Sequence, residues 1–566
     1  MTESTDTEMM TEDRTTTAVV GRADELAQGT MRMASVGERR VVVVHTPSGI
    51  HALDNACPHQ GYGLATGALE GDLITCQWHN WKYDARDGRC VLGEEDVACH
   101  RVEVIDGDIY VSVTEPTVEE RQAALWPSLR RGIESDFVGQ VARDSVRLLD
   151  TGVTPAEIVW EALAVGVPKA DYGPGHELAM TADCLALAEE RDGDERALPI
   201  VQALSGISEV SRDRPVLEIP APDASVDFAT SVETEDIEGT MAAAAAMATD
   251  NDPDDVRHAF VDAVSQHHLG YGHGIIYTQK AFELLDRVGW HRAAELLPHL
   301  AATIAWSTRE DLLPYMSKAM QAIAAVDLDA LASAAPIERG AAIEPAIVVA
   351  LSSSAEAPIG AAVDLIMGGA GIDGLLDALS IAVSERLLRH DLGVELDTSA
   401  NFGWLDITHG LTMARAVRWA WDLDPGPHTA RLALFATWLL HDTGRAERRH
   451  GARTAAEIDP RPGDIGDAVL HKDVDATLGA VAAAGRADAA TALTEASLVD
   501  GSGSFIVTAH LIKTTRAAIE EADVIDDDRP LLATARYLAA PRRERFVARN
   551  VAESVEFVRT GKPPKR

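Results

Sequence analysis

Two short stretches of this chain carry paired metal-binding side chains. Residues 57 to 59 read Cys57-Pro58-His59, and residues 76 to 79 read Cys76-Gln77-Trp78-His79. The framework is C-x-H, sixteen residues, then C-x2-H. Thiolate sulfur and neutral imidazole nitrogen are ligands that zinc and iron–sulfur centres share. Zinc fingers place Cys with Cys and His with His. Here each pair is mixed, so each loop offers one thiolate to an inner metal and one imidazole to an outer one. That weighs for a two-iron centre and leaves a zinc knuckle as the alternative.

The surroundings of these pairs resemble the Rieske ferredoxin family. The resemblance rests on Asn55-Ala56-Cys57-Pro58-His59-Gln60-Gly61, on Cys76 to Asp84, on the lead-in Gly21 to Leu26 and on Asp87-Gly88-Arg89-Cys90. It covers residues 18 to 114. It implies a [2Fe–2S] cluster held by Cys57, His59, Cys76 and His79. Imidazoles replacing two thiolates make such a cluster less negative, which raises its potential. Rieske proteins of respiratory and photosynthetic complexes add two Cys that pair between the cluster loops. This chain has Gln60 to Gly63 and Gln77-Trp78 in those places, which points to the ferredoxin or oxygenase type. Cys90 and Cys99 lie outside the ligand pattern and are expected to be buried apolar thiols, and Cys184 a bystander.

The elements that must hold these loops are short strands. Arg40 to His45 and Asp108 to Val113 have the branched and aromatic content of strands, separated by turn signals such as Thr46-Pro47-Ser48-Gly49 and Asp106-Gly107. From Pro116 the composition turns to Ala, Leu, Glu and Arg with helical periodicity. The expected organisation is a disordered tail (1–17), a small all-β Rieske domain (18–114), a large all-α helical-repeat domain (116–556) and a basic tail (557–566).

The helical part is read through its histidines. Four segments share a loop, a His, an apolar helix and a second helix, starting at Gly175-His176, Gly272-His273, Thr408-His409 and Ala509-His510. Convergence of these repeats would make an imidazole-rich site for iron or another metal. The expected second site draws on His176, His268, His273, His390, His409 and His510, with His273, His409 and His268 as the catalytic candidates. Asp406, Asp391 and Glu177 are the expected acceptors behind them. His258, His291, His299, His428, His450 and His471 read as solvated or locally satisfied, and His441 as a core or site residue. Tyr271 lies in a His-Leu-Gly-Tyr-Gly element (268–272) that is faintly similar to questin-oxidase-like proteins. His268-x4-His273 with Asp262 matches the mononuclear iron spacing of ring-hydroxylating oxygenases, but their catalytic domain is a large antiparallel sheet and no strand pattern follows residue 116. The glycine-rich Gly368 to Gly374 lacks a Lys-Ser/Thr ending and reads as a helix connection.

Composition narrows the function. With 90 Asp plus Glu against 50 Lys plus Arg, the chain carries −40, which argues against nucleic acid as a partner. The most apolar stretch, Pro345 to Gly369, is broken by Glu356, Pro358 and Asp364, so no membrane span is expected. The polar N-terminus is no secretory signal, and five Cys suit a reducing cytoplasm. There is no dinucleotide fingerprint, so electrons are expected from an external reductase or ferredoxin-type donor. The expected function is a Rieske oxidoreductase passing single electrons to a metal or redox site in the helical domain, for oxygen-dependent oxidation of a small organic substrate. The alternative is a non-catalytic electron carrier or redox sensor with a helical docking scaffold.

Overall fold

A computed structural model describes residues 14–335, 356–397, 402–499, 501–542 and 547–561. Most of the expected N-terminal tail, the end of the basic tail and residues 345–355 of the apolar stretch lie outside the described residues. The chain forms two compact units: Met1–Gly132 with Phe137–Gly152, and Ile133–Asp136 with Val153–Arg566. The first is built on a small all-β domain and the second is helical, as the sequence implies.

Among the described residues, ten strands make two sheets. The larger is ordered β1 (Thr15–Arg22), β10 (Asp108–Thr114), β9 (Cys99–Ile105), β4 (Gly49–Asp54), β3 (Arg39–Thr46), β2 (Thr30–Val36). The smaller runs β5 (Ala68–Glu70), β6 (Leu73–Thr75), β7 (Lys82–Asp84), β8 (Cys90–Leu92). All pairings are antiparallel. Strand β3 buries both of its faces. Val41 and Val43 join one core with Ile109 and Val111, while Val42 and Val44 join another with Leu53, Cys57, Cys76 and Tyr83. That explains an unbroken run of four valines where a half-buried strand would alternate. Asp106 and Gly107, both at positive φ, form the tight turn between β9 and β10. β1 begins at Thr15, so the last residues of the expected tail are strand.

Two helices, α1 (Val118–Glu134) and α2 (Val138–Asp150), follow the sheets, and all but the last two residues of α1 belong to the first unit. The switch in composition at residue 116 therefore marks a change of secondary structure, while the compact unit runs on to Gly152. The reason is packing. Phe137 lies against the core that contains Cys57 and Cys76, and Arg143 and Arg147 pair with Glu95.

In the second unit each of the four singled-out histidines lies on the first helix of a packed pair. These are α3 (His176–Glu189) with α4 (Ala197–Ser211) and α5 (His273–Val288) with α6 (Ala293–Trp306). After α7 (Gly371–Arg389) come α8 (Trp404–Leu423) with α9 (Pro427–Thr443) and α10 (Phe505–Ile525) with α11 (Arg529–Ala539). His176 and His273 open their helices, whereas His409 and His510 sit in the second turn. Gly270, Tyr271 and Gly272 all take positive φ, which turns the chain sharply into α5. A Cβ on Gly272 would stand 2.8 Å from Met413 Sδ, so glycine lets the start of α5 approach α8 closely. The final helix, α12 (Val547–Thr560), extends into the expected basic tail.

The run Ala357–Arg389 is long and apolar enough to cross a membrane by length and composition. It bends at Gly369 and Gly371, the expected helix connection, both at positive φ. Its polar residues bond inside the unit. Asp377 meets Arg418 at 3.0 Å, Ser380 donates to Glu521 at 2.5 Å, and Arg386 meets Glu447 at 3.2 Å. Such partners suit a helix packed in a protein core.

Candidate metal centres

The two Cys/His loops of the β unit are built alike. In the first, the Cys57 amide donates to Tyr62 O and the Gly61 amide to Cys57 O, both at 2.8 Å. In the second, the Cys76 amide donates to Trp81 O at 2.8 Å, and Asn80 takes φ 62° to close the turn. The result separates the two donor types. Cys57 and Cys76 are buried at 2% exposure, His59 is half-buried and His79 exposed. His59 Nδ1 and His79 Nδ1 face each other 3.0 Å apart. Tyr83 Oη lies 3.1 Å from Cys57 Sγ, and burial pushes both the Cys57 thiol and the Tyr83 phenol up. His59 stacks on Trp81 and Tyr62 on Trp78, tying the loops together.

In the helical unit His176, His273, His409 and His510 meet. His409 Nε2 lies 2.8 Å from His273 Nε2 and 3.4 Å from His510 Nε2. The ring of His176 is centred 4.8 Å from that of His273 and 4.7 Å from that of His510. One ligand atom from each of His176, His273 and His409 falls within 4.8 Å of the others. The tautomers follow from the partners. His409 Nδ1 donates to Leu405 O at 2.5 Å and His510 Nδ1 donates to Ile506 O at 2.7 Å. A carbonyl only accepts, so Nδ1 carries the proton and Nε2 is a bare lone pair on both. The Nε2 atoms of His273, His409 and His510 thus converge, two of them as lone pairs. Metal–nitrogen bonds of about 2.0–2.1 Å set tetrahedral donors about 3.3 Å apart, which is close to the 3.4 Å between His409 and His510 Nε2.

Burial lowers all four imidazoles below their ordinary pKa, His409 to about 3, with the nearby Lys513 adding to the effect. Burial also lowers Lys513 itself, to about 7. Tyr277 Oη lies 2.8 Å from His176 Nδ1, and the Tyr271 ring packs edge-on to His409 at 5.5 Å. Sequence reasoning missed Tyr277 and Lys513. Their signal was spacing: Tyr277 is one turn beyond His273 and Lys513 three residues beyond His510, each on the same helix face.

Two of the six expected ligands stand elsewhere. His268 packs on Phe435 and faces Glu310 at 3.3 Å; His390 packs on Trp404 and faces Glu395 at 3.8 Å. The carboxylates expected behind the site also serve other groups. Asp406 binds Arg445 and the Gly403 amide, Asp391 caps Gly393, and Glu177 accepts from the Gly175 amide. Helix carbonyls and a phenol take their place. Asp262 accepts from Gln266 at 3.0 Å. His441 is buried beside Trp438. His299 is buried, not solvated. Cys99, the first residue of β9, is exposed rather than buried; Cys90 is half-buried and Cys184 buried.

Residues 16–105 match the Rieske [2Fe–2S] domain. The ferredoxin component of the alkene monooxygenase system of Xanthobacter autotrophicus is 30% identical over 102 residues, 18% of this chain and 83% of that protein. The chain belongs to the Rieske [2Fe–2S] family. The oxygenase component of 3-ketosteroid-9-alpha-monooxygenase of Rhodococcus rhodochrous is 36% identical over 72 residues; the match spans 12% of this chain and only 19% of that relative. Among solved structures, the ferredoxin of carbazole 1,9a-dioxygenase from Nocardioides aromaticivorans IC177 is 26% identical, with a TM-score of 0.17, over 17% of this chain and 96% of that one.

The donor set in the β unit fits a Rieske cluster. Two buried thiols lie inside and two imidazoles outside, with no disulfide to either thiol. Tyr83 is placed to donate to Cys57 once that sulfur is a thiolate, and such bonds tune a cluster's potential.

Proposed function

We propose that this protein is a two-centre oxidoreductase. Cys57 and Cys76 hold the inner iron of a [2Fe–2S] cluster, and His59 and His79 hold the outer one. When bound, that cluster supplies one-electron transfer. A second metal ion is held by His176, His273, His409 and His510, and iron is the ion the reaction calls for. A small organic substrate is oxidised there. Its C–H carbon takes one oxygen atom of O2; two electrons, delivered singly, and two protons reduce the other to water. The electrons come from an external reductase or ferredoxin, as in the multi-component systems whose ferredoxins the first unit resembles. The free cysteines suit a reducing compartment.

The observation that carries this reading is the convergence of three imidazole Nε2 atoms, two of them lone pairs because a helix carbonyl fixes the proton of His409 and of His510 on the far nitrogen. The facing Nε2 lone pairs of His409 and His510 repel unless a cation or a proton lies between them, and burial disfavours an added proton. One feature favours a metal-free tetrad in a docking scaffold: the buried Lys513 amine beside the imidazoles, which as an ammonium would repel a metal ion. Metal analysis of the full-length protein separates the two. Expected is one metal ion per chain beyond the two cluster irons, lost in His409→Ala while the reduced cluster keeps its EPR signal. A wild-type chain with cluster iron alone would overturn the second centre and leave the carrier.

A further inference from the structure

We propose that Arg143, on a helix outside the Rieske sheets, positions the cluster loop through the main chain of His59 and thereby raises the cluster's reduction potential. Arg143 Nη1 donates to the His59 carbonyl at 2.9 Å. Its Nη2 donates to Glu95 Oε2 at 3.2 Å. Glu95 comes from the loop after β8 and also receives Arg147 Nη1, which meets the buried Asp144 at 3.1 Å. The guanidinium is thus held from both ends. Side-chain exposure is 22% for Arg143 and 13% for Glu95, so solvent screens the contact only in part.

Phe137, the residue before α2, packs on the core around Cys57 and Cys76 and holds the start of the helix beside the cluster loops. The consequence follows from charge. Reduction adds one electron to the cluster, and a guanidinium at a ligand's own carbonyl stabilises the added negative charge. Glu95 offsets part of that charge, so the hydrogen bond and the fixed loop carry the rest. Arg143 touches neither donor nitrogen, so it is a positioning residue. The inference rests on the cluster reading and is independent of the helical metal.

The test uses the full chain, with cluster content from the EPR signal and the midpoint potential from a spectroelectrochemical titration. Arg143→Gln should keep the cluster and lose roughly tenfold in its preference for the reduced state, about 59 mV for one electron. Arg143→Lys should fall between, since it keeps the charge but not the forked geometry. Arg147→Gln shares the helix and Glu95 but makes no contact with His59, and should leave the potential unchanged. An unchanged potential in Arg143→Gln, or an equal shift in Arg147→Gln, overturns the proposal. Should the glutamine variant lose the cluster, Arg143→Lys decides: a lowered potential supports the role and a wild-type value overturns it. A wild-type chain without a Rieske signal would instead overturn the cluster reading and this inference with it.

Discussion

The two clusters of metal-binding side chains are built on opposite plans. The Cys/His set lies on two loops within residues 57–79, each closed by its own backbone hydrogen bond, with its imidazoles toward solvent. The His tetrad draws on four helices between residues 176 and 510, with its imidazoles turned inward and the protons of His409 and His510 tied to the helix backbone. A loop site needs only its local turn and the sheet beneath it. A tetrad across helices exists only when four helix pairs pack correctly. Outward imidazoles suit a centre that receives and passes electrons at a surface; inward ones suit chemistry shielded from water.

The comparison predicts that the two sites can be broken separately. The largest effect is all-or-none. Cys76→Ser should abolish the Rieske EPR signal and leave the helical metal, the mirror image of His409→Ala. Loss of both metals from either variant would mean the sites are not independent. Next is the buried pair behind the tetrad, where Arg418 meets Glu521 at 2.9 Å and Asp377 at 3.0 Å. Glu521→Ala leaves Arg418 with less than its full set of partners, and breaking a buried pair costs about 3–5 kcal/mol. Helical CD should melt at lower temperature while the visible cluster absorbance bleaches at its wild-type temperature. A common shift of both transitions would erase the distinction between local and packed sites. Smaller again is Tyr83→Phe, which removes the bond to Cys57 Sγ and should lower the midpoint potential by the equivalent of about 1–2 kcal/mol, with the tetrad metal unaffected.

How legible each site was in the sequence follows from the same difference. Mixed Cys/His pairs at short spacing state their own geometry, because a few residues of loop fix where both side chains point. The β fold was equally readable from strand runs and turns. The helical histidines gave only a shared His-then-helix pattern. It named His176, His273, His409 and His510 together, but it could not exclude His268 or His390, because which face of a helix turns inward is decided by its neighbours. His268 shares the element that precedes α5, yet its ring goes to Phe435. The carboxylates expected behind the imidazoles were wrong for a related reason. A histidine in a helix has a carbonyl one turn earlier on its own chain, as Leu405 for His409, and needs no side chain to orient it. The extent of the first unit was hidden too, since α1 and α2 have the composition of the helical region, and single residues such as Glu120, Phe137, Arg143 and Arg147 tie them to the β domain.

The smallest prediction sets two neighbouring histidines of one segment against each other. His267 lies between Asp311 at 2.8 Å and Glu233 at 2.9 Å, six residues before His273. The bond to Asp311 raises its pKa above the ordinary value, with Glu233 adding to it against partial burial. His273, without a carboxylate, is held neutral by burial. A raised folded-state pKa means that the stabilisation from His267 is fully present below the unfolded value of about 6.5 and fades as pH rises through the folded value. Glu233 is more than half exposed, so solvent screening keeps its share below about 1 kcal/mol, and the buried Asp311 carries most of the effect. His267→Gln should therefore lower the melting temperature of the helical unit more at pH 5.5 than at pH 8.5. An equal loss at both values would mean that the ring contributes as a neutral hydrogen-bonding group, and that the contrast between a chargeable and a neutral histidine within one segment does not exist.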